Sequence, residues 1–314
     1  MSKILITGAT GFIGHHAVIA CQQAGLSVLP LARDKANPYG YQAAEITPQT
    51  DWSAHLQQVD VIVHCAARVH VMNDKDNDPL TAYRDVNTDG TLHFARQAAA
   101  AGVKRFIFLS SIKVNGEATT PDTPFTARVE QAPTDPYGLS KYEAEKGLLA
   151  LAQETGMDVV IIRPPLVYGP GVKANFASLL HCVRKGLPLP LGAINNKRSF
   201  VYIDNLVDLI LTCVSHPNAA NQTFLVSDDD DVSTSELLRQ MAYAMGKTPR
   251  LLPIPQIWLM ALTRWLGKPG IGERLCGDLQ LDIDATKTCL DWHPPYNLAD
   301  ALQRMINQSH HTSK

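Results

Sequence analysis

The chain has 314 residues, 45% hydrophobic and 18% charged, with a net charge of −2 at neutral pH. This length suits one large domain or two ordinary ones, and the charge balance offers no basic excess for nucleic acid and no acidic tail. The apolar opening run, Ile4-Leu5-Ile6, is far too short for a signal peptide or a membrane span, and the six scattered cysteines contain no Cys-x-x-Cys pair. That argues against a zinc site or a disulfide framework and fits a reducing cytoplasm.

Residues 3–7 read as a short strand and residues 12–24 as a helix. Between them lies Gly8-Ala9-Thr10-Gly11-Phe12-Ile13-Gly14. In a strand–turn–helix junction Gly8 permits the tight turn, Gly11 lets a pyrophosphate reach the backbone, and Gly14 lets the helix pack close. The first helical turn, with Phe12 and Ile13, offers free N–H groups and the positive end of the helix dipole to phosphates. The context predicts a dinucleotide site.

A second strand, 27–32, ends at Arg33 and Asp34. An acidic residue here binds a ribose 2′-hydroxyl and a basic one accommodates a 2′-phosphate, so Arg33 leans towards NADP over NAD, whereas an inward Asp34 restores NAD. Residues 60–67 form a buried strand whose small end, Ala66-Ala67, lets a cofactor lie against the backbone. Residues 68–79 read as a polar loop over the site, with His70 as a substrate contact or a surface histidine.

A long helix is expected over 83–101, with Asn87 near its start. A buried strand over 105–111 ends in Ser110-Ser111. Pro136-Tyr137-Gly138-Leu139-Ser140-Lys141 opens the next helix, and a strand over 158–163 precedes Pro164. Tyr137 and Lys141 are about one helical turn apart and share a face. An ammonium beside a phenol favours the phenolate, which lowers the Tyr pKa and suits it to proton transfer near neutral pH.

The alternation predicts an α/β fold with a Rossmann-type, doubly wound parallel sheet. Gly8, Arg33, Ala66, Ser111 and Pro164 all follow strands and so line one edge, where ligands bind. Asp228 to Asp231 could be read as a metal site, but reads better as a solvated loop ahead of a capping box, Ser233-Thr234-Ser235-Glu236. The apolar stretch 258–266 could lie on a membrane as an amphipathic helix. Packing on the core or on a partner subunit is the favoured reading.

The glycine run, His64-Cys65-Ala66-Ala67, Asn87-Thr88-Asp89-Gly90-Thr91, Ser110-Ser111, Tyr137-Gly138-Leu139-Ser140-Lys141 and Tyr168-Gly169-Pro170 together resemble the extended short-chain dehydrogenase/reductases. The nearest branch is the nucleotide-sugar epimerases, dehydratases and ketoreductases, typified by UDP-galactose 4-epimerase. The resemblance covers nearly the whole chain. It implies that Tyr137 is the acid/base, that Ser111 hydrogen-bonds the reacting oxygen, and that Lys141 binds the nicotinamide ribose and lowers the Tyr pKa. It also implies cofactor contacts from Ala66, Ala67, Asn87 and Pro164, and substrate contacts from Asn175, Arg198 and Arg274.

The resemblance implies a Rossmann domain over 1–165 and a smaller mixed α/β nucleotide-sugar domain over 166–314, with parts near 199–228 returning to the first. It further implies a homodimer through the Tyr137 helix and its neighbour. Trp292-His293-Pro294-Pro295 resembles a packing feature. Where many relatives carry an Asn that touches substrate, this chain has Leu166. That puts plain UDP-glucose or UDP-galactose chemistry in doubt. Pro164-Pro165 and the run from Arg68 to Asp74 resemble a bacterial polysaccharide subgroup whose members are often labelled 4-epimerases, some of which reduce a 4-keto group. Arg33 tips the reading to a 4-ketoreductase acting on a UDP-4-keto-6-deoxy-HexNAc. The alternative is a UDP-sugar 4-epimerase with retained NAD, for UDP-glucose or UDP-GlcNAc. A non-catalytic dinucleotide sensor is remote, because such proteins usually lose the Tyr or the Lys.

Overall fold

A computed structural model describes residues 2–69 and 78–311. His70 and the part of the Arg68 to Asp74 run beyond Val69 lie outside the described residues. The strands are β1 (Lys3–Thr7), β2 (Ser27–Ala32), β3 (Gln42–Ala43), β4 (Val61–His64), β5 (Arg105–Leu109), β6 (Asp158–Arg163), β7 (Leu166–Tyr168), β8 (Phe200–Tyr202) and β9 (Gln222–Leu225). The helices are α1 (Phe12–Gln23), α2 (Pro79–Arg84), α3 (Thr91–Ala100), α4 (Pro136–Thr155), α5 (Ala174–Arg184), α6 (Ile203–Ser215), α7 (Thr234–Ala244), α8 (Gln256–Trp265), α9 (Pro269–Cys276), α10 (Asp284–Leu290) and α11 (Leu298–His311).

The main sheet has seven parallel strands in the order β3-β2-β1-β4-β5-β6-β9, and β7 and β8 form a separate parallel pair. Helices cover both faces, so the central strands need apolar side chains on both sides. Alternation divides them. Ile4, Ile6, Val63, Ile107 and Val160 face one core with helices α1 and α6. Leu5, Ile62, Phe106, Phe108 and Val159 face the other with α3 and α4. The expected Rossmann-type sheet is present, and β9, from late in the chain, closes its far edge beside β6.

Two elements differ from the sequence expectation. The long helix begins at Pro79, because Asp78 caps it by accepting a hydrogen bond from Thr81 N at 3.2 Å. It also contains a π-helical turn over Asp85–Gly90 between α2 and α3. Such a turn re-aims side chains within a helix, and here it carries Asn87 inward to complete burial.

The acidic run is not a solvated loop at its first residue. Asp228 is buried and accepts hydrogen bonds from Tyr168 Oη, Tyr202 N and Asn205 Nδ2, each at 2.7 Å. Burial pushes its carboxyl up to about 6, against the pull of those donors. Asp229 pairs with Lys287 at 2.8 Å, and Asp231 accepts from Ser199 Oγ and from Gln280 Nε2. Among the described residues no His, Cys, Asp or Glu group could hold a metal. Ser233 caps α7 as expected, accepting from Glu236 N at 3.0 Å. Trp292 is buried and donates from Nε1 to Asp208 Oδ2 at 2.7 Å.

Candidate active site

The parallel sheet collects Gly8, Ala66, Ser111 and Pro164 just beyond the C-terminal ends of β1, β4, β5 and β6. The backbone joins these ends. Ser110 N donates to Ile162 O at 2.8 Å and Ile112 N to Pro164 O at 3.0 Å. Ser111 Oγ accepts from Lys113 N at 3.2 Å and caps the short 3₁₀ turn Ile112–Val114.

The start of α4 docks on that turn. Asp135 caps the helix by accepting from Gly138 N at 2.8 Å, and Pro136 occupies the first turn, where its missing N–H costs nothing. A Cβ at position 138 would lie 2.7 Å from Lys113 O, so only glycine allows this approach. The result sets the Tyr137 phenol near the Ser111 hydroxyl. Tyr83 packs edge-on to the Tyr137 ring, with centroids 5.9 Å apart.

Lys141 is almost wholly buried. Its Nζ donates to Leu109 O at 2.9 Å and sits 4.3 Å from the centre of the Phe108 ring. Burial pushes its ammonium down to about 7, partly offset by Glu145 and Cys65. Burial also pushes the Tyr137 phenol up to about 12, with Ser111 opposing and Asp135 and Tyr83 adding to the rise. The expected lowering of the Tyr137 pKa is therefore corrected. Desolvation outweighs the stabilising contact, and the Lys141 ammonium bonds to the Leu109 carbonyl.

A buried ion pair supports the lysine. Glu145, one turn beyond Lys141, accepts from Arg163 Nε at 2.9 Å and Nη2 at 2.5 Å, and from Ser110 Oγ. Arg163 Nη1 donates to Asn115 Oδ1 at 3.0 Å and to Ala127 O at 2.8 Å. Sequence reading missed Glu145 and Arg163, although the spacing of four from Lys141 to Glu145 signals a shared helix face.

The glycine turn fits a dinucleotide. The backbone turns at Gly8 with φ +64°, and Gly11 N donates to Gly8 O at 2.8 Å. No side chain caps α1 at Gly11, so the first-turn N–H groups, those of Phe12 and Ile13 included, are available to a phosphate. A Cβ on residue 14 would lie 2.2 Å from Gly8 O. Gly14→Ala is expected to destabilise the fold by about 1–3 kcal/mol through overpacking and to abolish retention of dinucleotide. A urea midpoint equal to wild type would refute this.

Asn87, an expected cofactor contact, is fully buried. Its amide accepts from Arg68 N at 2.8 Å and donates to Arg68 O at 3.0 Å and Ser140 Oγ at 3.1 Å. Full burial and these partners turn it towards the chain after β4, which it ties to α4. His64 was also missed as a positioning group. Its Nδ1 lies 2.8 Å from Thr7 Oγ1 and its Nε2 3.1 Å from Thr91 Oγ1, while Ala66 N donates to Thr7 Oγ1 at 3.2 Å.

Burial pushes the His64 imidazole down to about 3 from an ordinary 6.5. The unfolded chain takes up this proton below 6.5 and the folded chain does not until about 3, so stability falls as pH drops through that window. The check is an NMR titration of the His64 ring, which should stay neutral to pH ~4.5. A midpoint near the ordinary histidine value would overturn it.

Arg33 is exposed after β2, and Ala67 is half-buried beyond β4. Asn175 is exposed in the first turn of α5. Arg198 is half-buried and donates from Nη1 to Gly277 O at 2.9 Å, which brings it to the C-terminal end of α9, the helix that carries the exposed Arg274. Burial lowers the Arg198 pKa, opposed by Asp278. The same segment is stitched to the loop after Ser111. Thr119 N donates to Asp278 O at 2.9 Å and Phe125 N to Gln280 O at 2.8 Å.

The profile of the family described as "NAD dependent epimerase/dehydratase family" matches residues 4–227. A UDP-glucose 4-epimerase of Vibrio cholerae is 52% identical over 308 residues, covering 96% of this chain and 94% of the relative. Among solved structures, the UDP-N-acetylglucosamine 4-epimerase of Bacillus cereus superposes with a TM-score of 0.82 at 19% identity, over 99% of this chain and 100% of its own. The UDP-glucose 4-epimerase of Thermotoga maritima, solved with UDP-glucose, gives 0.77 at 22% identity over the same shares. The profile match across the glycine turn, the Ser111 strand and the Tyr137 helix, together with the Vibrio cholerae relative, establishes that the chain belongs to the NAD dependent epimerase/dehydratase family and is an enzyme of the extended short-chain dehydrogenase/reductase type.

Proposed function

We propose that the enzyme is a UDP-sugar 4-epimerase that retains NAD. The observation that carries this reading is the Vibrio cholerae relative, a UDP-glucose 4-epimerase sharing 52% of residues over almost the whole length of both chains. It favours epimerisation over the 4-ketoreductase expected from Arg33. In this reading the glycine turn holds the dinucleotide, Ala66, Ala67 and Pro164 border it, and Lys141 binds the nicotinamide ribose. NAD, when bound, would supply the acceptor and donor of the C4 hydride and, oxidised, a positive charge.

Tyr137 takes the proton from the sugar C4 hydroxyl and returns it, and Ser111 hydrogen-bonds the same oxygen. For the first transfer Tyr137 must be the phenolate, its own proton having passed to solvent, a form that protonated Lys141 and a bound oxidised dinucleotide would favour. Once it has taken the C4 proton, the neutral phenol is the donor that returns it. Residues 166–314 hold the nucleotide sugar, with Arg198 and Arg274 suited to the diphosphate by their paired N–H donors. Asn175 borders the sugar. The enzyme works in the cytoplasm, a compartment that suits its six unpaired cysteines. It pairs as a homodimer through α4 and its neighbour α3.

The ketoreductase with NADPH stays as a second reading because Arg33 is exposed at the end of β2, where a 2′-phosphate would sit. One experiment separates the two. The purified enzyme is incubated with UDP-glucose or UDP-GlcNAc, and in parallel with a UDP-4-keto-6-deoxy sugar and NAD(P)H. Epimers formed without net cofactor consumption are expected. Stoichiometric NADPH oxidation with only the keto sugar would replace the epimerase by the reductase.

A further inference from the structure

Helix α8 meets the core through Leu259 and Met260, and the rest of its apolar side is open. Leu259 is its one buried side chain among the described residues. Ile257, Trp258, Leu262 and Trp265 are 73%, 70%, 50% and 82% exposed, and Leu266 just beyond is 55% exposed. The positions 257, 258, 261, 262 and 265 recur at helical spacing, so they form one continuous face. The opposite side is anchored. Gln256 Nε2 donates to Cys276 O at 2.9 Å, and Thr263 lies where a Cβ on residue 272 would sit, 2.3 Å from its Oγ1. The apolar face is thus held outward by a fixed α8–α9 hairpin. No helix among the described residues is long and apolar enough to cross a membrane.

The charge around this face is unlike the rest of the chain. Across the α8–α9 hairpin, residues 256–276, there are three basic residues (Arg264, Lys268, Arg274) against one acidic (Glu273), a local balance of +2 in a chain of net −2. All three basic residues are exposed. A second copy seated on the same face would bring two such cationic segments together, and like charges oppose that pairing. An anionic lipid surface meets both features. Tryptophan rings settle at the headgroup level, and flanking Arg and Lys attract anionic headgroups.

We propose that the α8 face is a peripheral docking surface for an anionic phospholipid bilayer, with Trp258 and Trp265 inserted at headgroup depth and Arg264 and Lys268 on the headgroups. It seats the enzyme on the membrane surface with α9 and its Arg274 close to the bilayer.

The full chain is tested by flotation with vesicles of phosphatidylglycerol and phosphatidylcholine, and with phosphatidylcholine alone. The wild type is expected to float with the anionic vesicles, to shift its tryptophan emission to the blue, and to release in high salt. Trp258→Ser with Trp265→Ser abolishes flotation. Arg264→Glu with Lys268→Glu weakens it by about tenfold or more and removes the preference for phosphatidylglycerol. Thermal unfolding midpoints equal to wild type show that both variants are folded. A wild type that never floats, or a double tryptophan variant that floats equally well, overturns the proposal. So does a dimer that dissociates in the tryptophan variant without any lipid binding, which would give the face to a second copy.

Discussion

Tyr137→Phe is expected to lower kcat by about 10²–10⁴-fold, the range that a positioned acid/base supplies. The substitution removes one oxygen and leaves the ring against Tyr83. Ser111 Oγ keeps its donor, Lys113 N. The fold should therefore hold, with a melting point within a few degrees of wild type. Ser111→Ala should cost less than Tyr137→Phe, because in the proposed mechanism it removes only a hydrogen bond to the reacting oxygen and leaves the Tyr137 phenol in place. Steady-state kinetics on the epimerisation, with the NAD content of each variant measured, is the check. A Tyr137→Phe enzyme that retains NAD and turns over at the wild-type rate would remove Tyr137 from the mechanism.

Glu145→Ala should produce the largest loss of stability. Its side chain is 3% exposed and that of Arg163 5% exposed, so the pair is screened little by solvent. Deleting the carboxylate leaves the guanidinium buried with Asn115 and the Ala127 carbonyl as its remaining partners. Breaking such a pair from one side costs about 3–5 kcal/mol. For a chain of this size that is roughly a 5–8 °C fall in melting point. Replacing both partners, Glu145→Leu with Arg163→Met, should cost less, since neither charge is then left alone.

The same change acts on the site. Glu145 raises the Lys141 pKa against burial. Its removal lowers that value further and leaves less protonated lysine at neutral pH. Residual activity in Glu145→Ala should therefore shift its dependence on Lys141 protonation to lower pH. A melting point within 2 °C of wild type, about 1 kcal/mol or less by the same scaling, would show that the pair contributes little.

Much of the architecture is legible in the chain because it rests on short-range patterns. Apolar runs such as Lys3–Thr7 and Arg105–Leu109, separated by helical stretches, require a parallel sheet with both faces covered. The glycine turn needs only its neighbours to be read. Tyr137 and Lys141 are four residues apart in one helix, so their shared face follows from spacing. Asn87 stands out in the sequence, but a π-turn decides where its amide goes.

The remainder depends on groups far apart in sequence. Glu145 meets Ser110 from 35 residues away, and Asp228 meets Tyr168 from 60. No local pattern distinguishes such a buried carboxylate from a solvated one. The Tyr137 pKa also escaped the local reading, because the i,i+4 rule supplies the ammonium but not the desolvation that outweighs it. The exposed tryptophans of α8 are of the same kind, since whether an apolar face is covered depends on the rest of the fold. The sequence by itself determined the sheet, the dinucleotide turn and the Tyr–Lys pair, which follow from periodicity and spacing. Only the tertiary structure decided which charges are buried, what Lys141 and Asn87 bond to, and which apolar face stays open, because desolvation and long-range partners exist only once the chain has folded.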